Sequence, residues 1–69
     1  MDRETLNVLY ALYLAPRTVQ SDFARQWAEQ LGALSSQGLI TTKEAKDTFG
    51  RLWRITPPGQ NQLIAHGLL

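Results

Sequence analysis

Apolar residues recur every three or four positions between Val19 and Leu34. Val19, Phe23, Trp27, Leu31 and Leu34 form one stripe, with Ala24 and Ala28 beside it. That spacing matches one face of an α-helix, in which residues three and four apart stack on the same side. Ser21, Asp22, Arg25, Glu29 and Ser36 fall on the opposite face. The pattern predicts one helix from about Val19 to Gln37. Thr18 or Ser21 can cap its start, and Gly38 sits where a left-handed C-cap belongs. Gly32 is the weak position inside the stripe, a mark of close packing or of a break.

An earlier stripe, Leu6, Leu9, Tyr10 and Tyr13, predicts a helix from about Arg3 to Leu14, capped by Asp2 and ended by Pro16 beyond it. Val8 and Leu12 widen its apolar arc past a single face. Such a helix lies at the centre of the fold or under a second copy of the chain, and the central position is the simpler reading.

After Gly38 the period shortens. Leu39 to Lys43 and Arg51 to Ile55 predict two strands of an antiparallel hairpin. By alternation Trp53 and Ile55 face the core, while Leu52 falls on the side of Arg54. Glu44 to Gly50 forms the loop, with Asp47 and Gly50 as turn residues. A last helix runs from about Pro57 to His66. Thr56 caps it, Pro57 occupies its first turn, Gly67 ends it, and Leu63 and Ile64 supply its apolar contacts. The expected fold is mainly α with a small antiparallel β-hairpin, in the order α-α-β-β-α, as one domain over residues 1–69. The two tryptophans, Trp27 and Trp53, lie on the core-facing stripes and read as packing residues. Phe49, near the loop tip, either folds back over the core or stands out as an anchor for a partner.

Composition narrows the function classes. A chain of 69 residues buries only about 60% of its unfolded surface, so its stability is modest. There is no cysteine, hence no disulfide and no thiolate metal site. No apolar run approaches the roughly 18 residues of a membrane span. The N-terminal stretch has mixed charge and no small-residue cleavage site, so it reads as a core helix, and the expected location is cytoplasmic. Enzyme chemistry lacks its parts. The single histidine, His66, sits in the last turn of a helix, where the helix dipole favours it without any catalytic role. The six carboxylates are spread along the chain, and there is no Gly-rich phosphate loop. No catalytic residue, metal or cofactor is expected.

Net charge is +1, far from the strong positive balance that announces a nucleic-acid binder. The distribution matters more. Between Lys43 and Arg54 there are four cations (Lys43, Lys46, Arg51, Arg54) against two anions (Glu44, Asp47).

Two pieces resemble the winged-helix DNA-binding domains. One is Leu34-x-x-x-Gly38-Leu39-Ile40, a recognition-type helix running through glycine into a first wing strand. The other is Arg51-Leu52-Trp53-Arg54-Ile55-Thr56-Pro57-Pro58-Gly59, similar to a returning wing strand followed by the start of the next helix. The stretch from Phe23-Ala24-Arg25 through Gly38-Leu39-Ile40-Thr41-Thr42 is similar to small phage- and prophage-encoded members. Together they cover about residues 18 to 62. Members of the common type carry a separate short helix before the recognition helix, whereas the stripe from Val19 to Leu34 predicts one long helix, so the helix-turn-helix is abbreviated here or Gly32 breaks it.

The resemblance implies double-stranded DNA as partner and transcriptional regulation, or an accessory DNA-binding role, as function. Recognition helices present their N-terminal residues to base edges. Thr18, Gln20, Ser21, Arg25 and Gln26 would take that part, Thr42, Lys43, Lys46, Arg51 and Arg54 would meet phosphates or a minor groove, and Arg17 would join the DNA-binding positive face. Each has an ordinary alternative: Arg25 can pair with Asp22 or Glu29 along its helix, and the hairpin cations can keep an edge soluble. Asp22 and Glu29 weaken a phosphate-binding face, and a homodimer, with the arc of Val8, Tyr10, Leu12 and Tyr13 as interface, would double the contacts. The rival reading is a protein-interaction module on the same frame, such as a phage-encoded inhibitor of a host protein. Near-neutral charge, the acids on the second helix and Phe49 favour it.

Overall fold

Residues 1–69 are described by a computed structural model. The first helix, α1 (Arg3–Leu14), runs through the middle of the fold. Asp2 caps it: its Oδ1 accepts the Thr5 backbone N–H at 2.7 Å. Hydrogen bonding by Thr5, through side chain and backbone, holds the Asp2 carboxyl below its ordinary value of 3.8. Val8, Leu9 and Leu12 are all but sealed from solvent and form one wall of the core. They meet Ala24, Leu31, Leu34, Leu39, Ile40 and Leu63, while Leu6, Tyr10, Phe23, Trp27, Trp53 and Ile55 pack around the edge. Val8 and Leu12 are therefore interior residues and not part of a surface for a second copy. Of that expected arc only Tyr13, stacked on Tyr10 with ring centroids 6.1 Å apart, is exposed.

The expected single helix from Val19 to Gln37 is two helices. α2 (Asp22–Gln26) and α3 (Ala28–Ser36) are separated by Trp27, whose backbone turns to φ −111°, ψ 29°. The break lies at Trp27 and not at Gly32, which is inside α3. Ser21, not Thr18, caps α2: its hydroxyl accepts the Ala24 N–H at 3.1 Å and donates to the Thr18 carbonyl at 2.8 Å. Ahead of α2, Arg17–Thr18 forms a short strand, β1. The sheet therefore has three strands and not two, and the chain reads α-β-α-α-β-β-α.

The hairpin is longer than expected and its loop shorter. β2 (Ile40–Ala45) and β3 (Thr48–Ile55) leave only Lys46 and Asp47 between them. Asp47 takes φ 61°, a left-handed conformation that aspartate tolerates better than most residues. Gly50, expected in the turn, lies within β3. β3 is central, with β1 and β2 antiparallel on either side. Ile40 stands opposite Ile55, and Trp53 opposite Arg17. Trp53 and Ile55 pack against the core, as their alternation predicts.

Both ends of the hairpin are fastened by helix termini. At the end of α3, Gly38 takes φ 74°; its N–H reaches the Ser35 carbonyl at 3.0 Å and the Leu39 N–H reaches the Leu34 carbonyl at 3.0 Å. This pair of bonds satisfies the last free carbonyls of the helix, and buried Leu34 and Leu39 supply its apolar contact. α4 (Pro57–Ala65) closes in the same way at Gly67, φ 76°, with Gly67 bonded to Ile64 and Leu68 to Leu63. At its start, Thr56 Oγ1 accepts the Gly59 N–H at 3.1 Å. No helix is long and apolar enough to cross a membrane.

Candidate nucleic-acid interface

The hairpin carries cations along its length because β-structure spreads alternate side chains to either side of a pleated ribbon. Near its tip Lys43 stands directly opposite Phe49, and Lys46 occupies the turn. The ladder is irregular between Thr41 and Lys43 and again between Lys43 and Ala45. Such bulges bend and twist a hairpin and re-aim its side chains. Glu44 crosses the middle of the ribbon. Its carboxylate lies over Gly50, where a Cβ would meet it, and reaches the Arg54 guanidinium at 3.7 Å. Arg54 is thus engaged within the protein, and its Nε is buried without a hydrogen-bond partner.

β1 brings distant sequence to the same sheet. Thr18 pairs with Leu52, and the Val19 N–H donates to the Arg51 carbonyl at 2.8 Å. Thr18, Val19, Gln20 and Arg51 line a shallow hollow of about 420 Å³. The Arg17 guanidinium sits over the Phe23 ring, 4.6 Å from its centroid. This cation–π contact keeps its charge at the start of α2.

Two of the sequence-expected residues on α2 stand apart from that group. Arg25 is exposed and bonded to Asp22 at 3.0 Å, so its charge is matched on its own helix. Gln26 is the exposed last residue of α2. Thr18, Gln20, Ser21, Arg25 and Gln26 do not share the start of one helix: they lie on β1, on the link after it and on α2. Ser21 is committed to the cap. The helix directly before the hairpin is α3, whose exposed residues include Ala28, Glu29, Gly32, Ala33 and Ser36, and Glu29 is its only charge.

Only two ion pairs form, Arg25–Asp22 and Arg54–Glu44. Lys43, Lys46 and Arg51 are exposed and enter neither. Thr42, half-buried, lies next to Lys43 on β2. No three His, Cys, Asp or Glu side chains gather where a metal ion would sit. His66 Nδ1 donates to the Gln62 carbonyl at 3.0 Å, a local bond at the end of α4.

Sequence reasoning missed two features of this surface. The Glu44–Arg54 pair has no signal in spacing, because it depends on the bulged register. The cation-free surface of α3 was hidden by treating α2 and α3 as one helix. No protein-family model matches the chain, and no match emerges among curated proteins or solved structures.

Proposed function

We propose that this chain is a small winged-helix DNA-binding domain, acting as a transcriptional regulator or an accessory DNA-binding factor, and that it engages duplex DNA mainly through its hairpin. The observation that carries the reading is the set of unpaired, exposed cations, Lys43, Lys46 and Arg51, on one projecting hairpin. The division at Trp27 supports it further. It supplies a short helix ahead of the helix that runs into the hairpin, the arrangement that a single long helix lacks.

The distribution of charge decides the kind of binding. α3 offers base edges no arginine or lysine, and the chemistry of bidentate guanine recognition needs one. Lys43, Lys46 and Arg51 on the hairpin suit phosphates instead, with Arg17 on the opposite edge strand of the sheet. Phosphate contacts position a protein but carry no sequence information. The proposed mode is therefore weakly selective and governed by counterion release.

Fluorescence anisotropy of a labelled duplex, at low and at moderate salt, tests the proposal. Binding at low salt that weakens steeply as salt rises is expected. Absence of binding at low salt, to duplexes of differing sequence, would overturn it.

A protein partner is the second reading, favoured by the cation-free, small-residue surface of α3 around Gly32 and Ala33, with Glu29 its only charge. A nuclease-resistant protein partner, bound through α3 by a chain with no affinity for duplex, would decide for it.

A further inference from the structure

Phe49 is 69% exposed, the most exposed of the large hydrophobic side chains. Its place explains why it cannot retreat. Thr48 pairs with Ala45 beside the turn, and Phe49 follows, paired with Lys43. The ladder thus holds the backbone of Phe49 out along the hairpin, while Trp53 and Ile55 of the same strand reach the core. A phenyl ring held in water on this bulged ribbon lies outside the hydrophobic core and adds nothing to it.

Its surroundings point to one occupant. Lys43 faces it across the ribbon, Lys46 lies at the turn, and Arg51 follows two residues on. None of the three is paired, whereas the nearby Glu44 carboxylate is drawn away to Arg54. An exposed apolar side chain with three free cations around it, against the single free carboxylate of Asp47 at the turn, complements a stack of bases flanked by phosphates. Proteins that use such tips insert an apolar side chain between base steps while their cations hold the backbone on either side.

We infer that Phe49 is a wedge that enters a base step of the bound duplex, with Lys43 and Lys46 on the flanking phosphates. This rests on the proposed duplex binding and adds a deformation of the DNA to it. Pyrimidine–purine steps, which unstack most easily, are the favoured sites.

The test uses a short alternating T–A duplex carrying 2-aminopurine in place of adenine, whose emission rises when its base unstacks. On binding wild-type protein, emission rises. Phe49→Ala leaves the protein folded by circular dichroism, weakens binding about tenfold, in line with the loss of one aromatic–base stack, and abolishes the rise. Because its charges are intact, its salt dependence matches wild type. Phe49→Leu, still an apolar wedge, retains part of both signals. Wild-type binding with no change in emission, or equal affinity for wild type and Phe49→Ala, overturns the wedge and leaves duplex binding standing. No binding of the duplex by wild type at low salt overturns both, and Phe49 is then left as an anchor for a protein.

Discussion

The hydroxyl of Thr56 donates to the Gly38 carbonyl at 2.8 Å, joining the residue that starts α4 to the residue that ends α3. The same oxygen accepts the Gly59 N–H, and the Thr56 N–H donates to the Leu39 carbonyl at 3.0 Å. Three bonds at one threonine thus close the base of the hairpin. Thr56→Ala removes two of them and is expected to destabilise the protein by about 1–2 kcal/mol, the range for a lost helix cap and its partner bond. Thr56→Ser, which keeps the oxygen, retains most of that stability. The midpoints of urea denaturation at unchanged slope check both.

Gly59 and Gly32 respond in opposite directions to the same substitution. A Cβ on Gly59 would run into the Leu39 carbonyl oxygen and stand 2.7 Å from Ile55 Cγ1. The carbonyl belongs to the backbone and is already held by Thr56, so neither side yields cheaply. Gly59→Ala therefore costs about 1–3 kcal/mol net, despite the better helix propensity of alanine. Gly32 lies within α3 with open space around it. Gly32→Ala is expected to stabilise the protein by about 0.5–1 kcal/mol. Thermal or urea unfolding of the two variants gives the signs directly.

Acid weakens the cap of α1. The Asp2 carboxyl is held below 3.8 in the folded chain, so the folded state binds its proton less readily than the unfolded state does. The stabilisation is whole above the unfolded value and is lost as pH falls through the folded one. Asp2→Asn keeps a capping oxygen but cannot titrate. Its denaturation midpoint is expected to fall less than that of wild type as pH is lowered below 3.8. Equal slopes in that range would contradict the assignment.

Several elements were legible in the sequence because a single residue carried each signal. Asp2, Thr56, Gly38 and Gly67 mark helix ends through their own capping chemistry, and the structure places them there. Trp53 and Ile55 gave the inner face of β3 by alternation. The break at Trp27 was hidden for a physical reason. Trp27 N–H still bonds the Phe23 carbonyl and its own carbonyl still receives the Leu31 N–H, at 3.0 and 2.9 Å. The four-residue bonding pattern thus runs on across the turn, and the apolar stripe keeps its phase without a proline or glycine to announce the change. β1 was hidden because two residues are too few to alternate, and its partner lies far along the chain. The hairpin cations were legible as residues, but which of them are free depended on the bulged register that sends Glu44 to Arg54.

That pair gives a prediction for binding. Glu44→Gln breaks an exposed ion pair and should change stability by less than about 1 kcal/mol. It also removes an anion from the hairpin and frees the Arg54 guanidinium. Duplex binding is expected to tighten, with its salt dependence steeper by about one unit of log K per log salt. Anisotropy titrations of wild type and variant over the same salt series check it.

The central claim, that free hairpin cations bind phosphates, is tested most directly by comparing the salt dependence of duplex binding by wild type with that of a Lys43→Ala, Lys46→Ala, Arg51→Ala triple variant. Loss of three phosphate contacts is expected to lower the magnitude of the slope by about 2.7 and to weaken low-salt binding on duplexes of every sequence. An unchanged slope in a folded variant, or no wild-type binding at the lowest salt, would contradict the account.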